Sequence, residues 1–496
     1  MIRSIHLFRN KKIKGSVENL LKMSTNRISI EKVQQTSDVG AKDQLAKRAK
    51  STILLPIPDK IRIEEVCVQG KEANALDWCD ITKFKCESSI ESSYDDHLLT
   101  QSDYEKILLR YGNSIKELSL SDNCDSSIMP FIGDHCKNLT SLECEFNVDS
   151  LNNNANHFVQ AFTQLNKLKC IKIKVTDKYS RKTMNLFEII NSLPEEINEI
   201  HILAEYWFGP VFWTFEKFKN LQKLNLPGIC LDKLILQEIA EITTLVHLNI
   251  ELSYKHIGFP LFNKLVNLEY IKTWIRSEFE DQIDMERVLS TKVLNTIFDK
   301  CKNLKHLDIP CQHYDFAEIP LRKWKNFENL EYLTLRCDEI PVGLANTIVK
   351  YCKNLKHLWI TQEYHFISAK VVKKLTKLEN LESLVIDRKR FELSEKSIII
   401  IANNCKKLKR LEFRYNGYII PTGVDDDLSS PSVLKELSKL QYLEHLNFEG
   451  LNNVDDSTII AIANNCKNLK SLNIQYCHDI TETALDALEK KLPLSP

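Results

Sequence analysis

A six-residue phrase, apolar at its first, fourth and sixth positions, recurs along this chain and leaves few folds open to it. It begins at Ile115 (Ile115-Lys-Glu-Leu-Ser-Leu120) and returns at Leu139, Leu168, Ile197, Leu221, Leu245, Leu268, Leu304, Leu330, Leu355, Leu381, Leu408, Leu443 and Leu469. These fourteen phrases are spaced by about 27 residues on average, the period of a chain that stacks one supersecondary repeat on the next. The apolar fourth and sixth residues alternate at period two, so each phrase predicts a short strand with one buried face. A helical stretch follows each strand. In Asp455-Asp-Ser-Thr-Ile-Ile-Ala-Ile-Ala463, the residues Ile459, Ile460 and Ala463 are expected to face the strands, with Leu469 of the next phrase. No repeat can enclose a core alone, so the repeats must stack over a shared one. The expected fold is α/β, with about fourteen strand-helix repeats filling residues 111–496. The wide steps from 268 to 304 and from 408 to 443 each predict an inserted loop.

Composition supports this reading. Glycine numbers only 12 in 496 residues, about 2% against an average near 7%. Folds that rest on Gly-rich phosphate loops or on many tight hairpins are therefore disfavoured. Asn, Asp and Pro serve the strand-to-helix passages instead. Length alone would suggest roughly three domains, which the repeat replaces with one array. Lys+Arg 67 balance Asp+Glu 67, so no net field draws in nucleic acid or an anionic membrane, and neither is expected as a partner. The longest apolar run in the repeats, Ile398-Ile-Ile-Ile-Ala402, is far short of the roughly 18 residues of a membrane helix.

Fifteen cysteines are present, with no C-x-x-C pair and no accompanying His pair, so zinc-ligand spacing is absent and neither metal nor cofactor is expected. The odd number and the lack of a secretory apolar segment predict free thiols in a reducing compartment, cytoplasm or nucleus. Residues 1–50 read as tail and linker. Their first 27 carry seven basic residues and one acid, the bias of a mitochondrial presequence or of a basic tail ahead of a start at Met23. Cys136, Cys301, Cys352, Cys405 and Cys466 each stand three residues before the first Leu of a phrase. The last four are 51, 53 and 61 residues apart, two repeats each, so two kinds of repeat alternate in the C-terminal half. The other kind reads Phe327-Glu-Asn-Leu, Leu378-Glu-Asn-Leu and Leu440-Gln-Tyr-Leu. A small buried hydrophobe is the simplest role for such a cysteine.

The unit Cys466-Lys-Asn-Leu-Lys-Ser-Leu-Asn-Ile474, closed by Cys477, resembles the cysteine-containing repeats of the F-box and leucine-rich repeat protein family. The resemblance covers about residues 110–495 and implies a leucine-rich-repeat horseshoe behind a short helical module in 51–110. In that family the module is an F-box, which binds a Skp-type adaptor and, through it, the cullin of an SCF ubiquitin ligase. Leu54-Leu55-Pro56-Ile57-Pro58-Asp59-Lys60-Ile61 resembles the family's opening, so the resemblance implies Leu55, Pro56, Ile61, Ile63, Trp78 and Ile81 as adaptor-binding residues. Gln69-Gly70-Lys71-Glu72 stands where the family has apolar residues, and the same segment reads equally as a cap over the first core layer.

No P-loop, G-x-S-x-G or H-E-x-x-H motif is present, and catalysis by this chain is not expected. Repeat arrays bind through the exposed face of their strands, where the third, fifth and seventh residues of each phrase point. The third-position stripe holds His247, Tyr270, His306, Tyr332 and His357; Trp359 is a fifth residue, and Trp274 and Arg336 are seventh residues. These eight form the expected site for a protein partner, with Trp274 and Trp359 facing solvent. The resemblance implies a substrate receptor of an SCF-type ligase. An adaptor-free scaffold or inhibitor is the alternative.

Overall fold

The computed structural model describes residues 52–55, 83–86, 100–120, 124–205, 207–253, 260–276, 283–309, 316–336, 339–362, 367–388, 394–415, 431–449, 451, 453–475, 477 and 479–491. The chain divides into two compact units, an N-terminal one within Ile13–Glu251 and a C-terminal one of Leu252–Pro496. All fourteen phrases are strands, and every one of these strands starts at the third residue of its phrase, from Glu117–Ser119 to Ser471–Asn473. In the N-terminal unit the strands Glu117–Ser119, Ser141–Phe146, Cys170–Val175, Glu199–Ala204 and Lys223–Leu231 pair in chain order, all parallel. In the C-terminal unit the eight strands from Tyr270–Arg276 to Ser471–Asn473 do the same. Along Ser141–Phe146, Cys170–Val175 and Glu199–Ala204, half-buried and buried residues alternate, with the fourth and sixth positions of the phrase inward. Each unit is an α/β leucine-rich-repeat solenoid.

Two strands precede the first phrase. Thr52–Leu55 pairs with Lys83–Cys86, and that strand pairs with Glu117–Ser119, both in parallel. Of the expected module in 51–110, the described residues are these two sheet strands and the helix that starts at Gln101; the rest lies outside the described residues. Lys83 sits opposite Glu117, which makes Ile81-Thr-Lys-Phe-Lys-Cys86 a phrase with the usual apolar positions. Phe84 fills the fourth position and meets Tyr104 of the helix edge-on, ring centroids 6.1 Å apart.

The turns into helices are capped by short polar side chains. Asn147, Asp232, Ser368, Ser394 and Asp455 accept from the backbone amides of Ser150, Ile235, Val371, Ser397 and Thr458, satisfying donors that a helix start leaves open. Helix ends are built by cysteine. Cys136, Cys352, Cys405 and Cys466 are the capping residues after Ile128–His135, Val342–Tyr351, Glu395–Asn404 and Asp456–Asn465. Each amide donates to the carbonyl four residues back, and each carbonyl accepts from the amide of the phrase's first Leu. A small side chain is needed where the chain turns inward, and the thiols of Cys301 and Cys466 also donate weakly to the carbonyls of Leu265 and Leu440 in the preceding repeat, at 3.5 and 3.4 Å. Burial pushes the thiols of Cys136, Cys301, Cys352 and Cys405 up to about 12. The Asn before the first Leu ties repeats together: Asn138, Asn354 and Asn380 donate to the carbonyls of Asn113, Glu328 and Lys353, one repeat earlier.

The alternation of two repeat kinds has a counterpart in charge. In the C-terminal unit the second residue of successive phrases reads Glu269, Lys305, Glu331, Lys356, Glu382, Lys409, Glu444 and Lys470. Lys305 pairs with Glu269 and Lys356 with Glu331, both at 2.7 Å; Lys409 pairs with Glu382 at 2.8 Å and Lys470 with Glu444 at 2.5 Å.

Three details depart from the sequence expectation. The wide step from 268 to 304 holds the 18-residue helix Ile283–Lys300, so it is not simply a loop. Ile460 is only half-buried, whereas Ile462 and Thr458 are fully buried, because the 3.6-residue period carries the inward stripe over positions 458, 459 and 462. The N-terminal unit also has a small separate parallel pair, Met184–Asn185 with Val211–Phe212. Gly209 lets its chain pass there: a Cβ at 209 would lie 1.8 Å from the Lys182 carbonyl oxygen.

Candidate functional site

Parallel, in-register strands place the same phrase position of neighbouring repeats side by side, roughly 4.8 Å apart. Flat rings at such a position must stack. Tyr270 stacks on His306 with centroids 4.0 Å apart and planes 15° from parallel, and His306 stacks on Tyr332 at 3.9 Å and 13°. Tyr332 then meets His357 at 6.0 Å, tilted by 36°. Four of the eight expected residues therefore form one continuous aromatic ladder. Burial, helped by the charge of Asp308, pushes the Tyr332 phenol up to about 12, and burial pushes His357 below its usual value, so both rings stay neutral at pH 7. Beside the ladder Asp308 is almost wholly buried, held by the Lys272 ammonium at 2.8 Å and the Thr334 hydroxyl at 2.7 Å.

The ladder runs into an open cleft of about 380 Å³ whose lining includes Tyr332, His357, Trp359, Val385, Arg410 and Arg414. Trp359 is half-buried rather than open to solvent, because the Arg414 guanidinium lies over its ring, 4.9 Å from the centroid. Its Nε1–H is buried and has no hydrogen-bond partner among the described residues. Arg414 and Arg410 are both held by one buried carboxylate: Glu412 Oε2 accepts from Arg414 Nε at 2.6 Å and Oε1 accepts from Arg410 Nε at 2.5 Å. The cleft thus offers an indole ring, ring edges and two guanidiniums fixed in place. Such a surface suits an amphipathic protein segment, since aromatic and Arg side chains dominate interface energetics.

Of the remaining expected partner residues, His247 opens the strand His247–Ser253, and its imidazole is pushed down to about 4, first by burial and then by His201 and Lys223. Trp274 and Arg336 end up in the strands Tyr270–Arg276 and Tyr332–Arg336, but their side chains lie outside the described residues. Among the expected adaptor residues, Leu55 ends the strand Thr52–Leu55 and its side chain lies outside the described residues; so do Pro56, Ile61, Ile63, Trp78 and Ile81 altogether. Sequence reasoning missed Val385 in the cleft, which an apolar residue at an outward fifth position could have signalled. It also missed a grouping of Cys170, Glu199 and His201 in the N-terminal unit, since these residues share no motif along the chain.

No protein-family model matches the chain. Solved structures of similar fold include an internalin (inlF) from Listeria monocytogenes, 14% identical over 72% of this chain and 91% of that chain, with a TM-score of 0.33. A chain of the yeast Rad7 and Elc1 complex is 16% identical over 86% of each chain, with a TM-score of 0.38. The plant peptide hormone receptor RGFR1, solved with RGF2, is 16% identical over 72% of this chain and 58% of that chain, with a TM-score of 0.30. No helix among the described residues is long and apolar enough to cross a membrane.

Proposed function

We propose that this chain recruits a protein partner onto the exposed strand face of its C-terminal unit, with Trp359 and Arg414 as the anchors. The finer reading is that it serves as the substrate receptor of an SCF-type ubiquitin ligase, reaching a Skp-type adaptor and cullin through Leu55, Pro56, Ile61, Ile63, Trp78 and Ile81. The observation that carries the first part is the cleft: a stacked aromatic ladder that leads to a guanidinium-capped indole. What supports the second part is the sequence resemblance of the repeats. The receptor would supply proximity and orientation, and a separate transferase the chemistry. One observation favours the alternative, an adaptor-free scaffold or inhibitor: Thr52–Leu55 and Lys83–Cys86, both within the expected adaptor module, are strands of the repeat sheet.

Affinity purification from cells tests both parts. Trp359→Ala is expected to keep its circular dichroism spectrum and to lose at least tenfold in recovery of the main copurifying protein, the effect of removing an interface anchor worth about 2 kcal/mol. Unchanged recovery removes the cleft from the proposal. A Skp-type adaptor and cullin should copurify with the wild-type chain and be lost with Ile61→Asp plus Trp78→Asp. If the wild-type chain brings down neither, the adaptor-free reading stands.

A further inference from the structure

Two neighbouring strands of the N-terminal unit bring together three side chains from two repeats. The register sets Cys170 opposite Glu199 and Lys172 opposite His201, so Cys170, Glu199 and His201 share the outward face. The thiol sulfur, one carboxylate oxygen and one ring nitrogen all lie within 4.8 Å of one another, and all three residues are half-buried. His201 Nε2 is 3.5 Å from Glu199 Oε2. Two ligands of a tetrahedral zinc ion, with bonds of about 2.0–2.3 Å, stand roughly 3.3–3.6 Å apart, so this pair already has the spacing and the thiol closes the set by a small rotation.

We infer that Cys170, Glu199 and His201 bind a divalent ion of the zinc class, leaving its fourth position open toward solvent. The donor set selects the metal. A thiolate with an imidazole favours zinc and its soft or borderline neighbours over magnesium or calcium, which take oxygen alone. A side-chain amide that can serve as the outer partner of a metal-bound imidazole stands beside the ring. His201 Nδ1 lies 3.1 Å from the Asn225 amide, which is itself bonded to the Asn249 amide at 2.6 Å. Turning both amides over lets Asn225 Oδ1 accept from Nδ1–H while Asn225 Nδ2 donates to Asn249 Oδ1, and this fixes the ring with Nε2 toward the ion. Lys223 holds Glu199 Oε1 at 2.7 Å and leaves Oε2, the oxygen beside His201, for the ion. Binding forms a sulfur–metal bond and releases the thiol proton of Cys170 to solvent. Lys172 and Lys223 oppose a dication here; the charges of Glu199 and of Glu143, paired with Lys172 at 2.9 Å, offset them.

The test uses the full chain, reduced, stripped of metal by a chelator and titrated with Co²⁺. The expected result is a thiolate-to-cobalt charge-transfer band that saturates at one ion per chain and is bleached by Zn²⁺. Cys170→Ser and His201→Ala should lose the band, while Cys230→Ser, which removes another half-buried thiol, should keep it. Glu199→Gln, nearly the same shape, should weaken Co²⁺ binding by at least the tenfold that an outer contact is worth. No band in the wild-type chain, an undiminished band in Cys170→Ser, or unchanged affinity in Glu199→Gln overturns the inference.

Discussion

His247 illustrates how a single outward position can govern stability. Burial, with His201 and Lys223 nearby, lowers its folded pKa to about 4, against about 6.5 in an unfolded chain. Between those values the unfolded state binds more protons, so the stability this residue contributes is complete above pH 6.5, declines as the pH falls, and is gone below about 4. His201, His357 and His445 are lowered by burial and act in the same direction. Glu143 and Glu199, held below the usual carboxylate range by lysine partners against the opposing effect of burial, weaken the fold only once the pH drops beneath their unfolded values. The melting temperature should therefore fall from pH 7 to 4.5, and His247→Gln should remove about 1–2 kcal/mol of that loss, allowing for solvent screening of a half-exposed ring. An identical pH slope in the variant would refute the assignment. At this scale the sequence was informative about which positions face outward and silent about which of them meet. Tyr270, His306, Tyr332 and His357 were legible as one stripe because they share a phrase position. Cys170, Glu199 and His201 were not, because no single segment carries ligand spacing and the register supplies it across two strands.

Elements begin and end where short side chains intercept backbone groups. Asp455 is the clearest case: Oδ1 accepts from the Thr458 amide at 2.8 Å and from the Thr458 hydroxyl at 2.7 Å, and Thr458 is fully buried. Asp455→Ala is expected to cost about 1–2 kcal/mol in chemical denaturation, and Asp455→Asn to restore most of it. Equal stability of the Ala variant would show that the cap is dispensable. The strands and their inward faces were legible from the phrases, since burying the fourth and sixth positions leaves one register. The two additional strands were not. Thr52–Leu55 follows a polar Lys50 where the phrase has an apolar residue, and the apolar pattern of Ile81–Cys86 is short enough to fit a helical adaptor module as well as a strand. The pair Met184–Asn185 and Val211–Phe212 is two residues long on each side, too short to show any period.

At the scale of a whole unit, stability follows from contacts between successive repeats, because among the described residues each strand of a unit's sheet pairs with the strands of the repeats next to it in the chain. A lesion should then stay local. In Asp455→Ala, amide exchange is expected to quicken in the helices and strands of residues 431–491 and to stay unchanged in the strands between Ser141 and Leu231, as hydrogen exchange with mass spectrometry would read. A uniform rise along the chain would contradict this picture. The alternating Glu and Lys of the second phrase position bear on how such an array can change its length. Exposed pairs of this kind are individually weak, but their order is strict. Losing or copying one repeat of the C-terminal unit would set Glu against Glu or Lys against Lys at the junction, whereas losing or copying two would leave every facing pair matched. The charge sequence therefore works as a parity rule on heredity: this part of the protein can grow or shrink smoothly only in twos, and the nearly identical stretches Ile401-Ala-Asn-Asn-Cys and Ile462-Ala-Asn-Asn-Cys, two repeats apart, are the pattern that such paired duplication would leave.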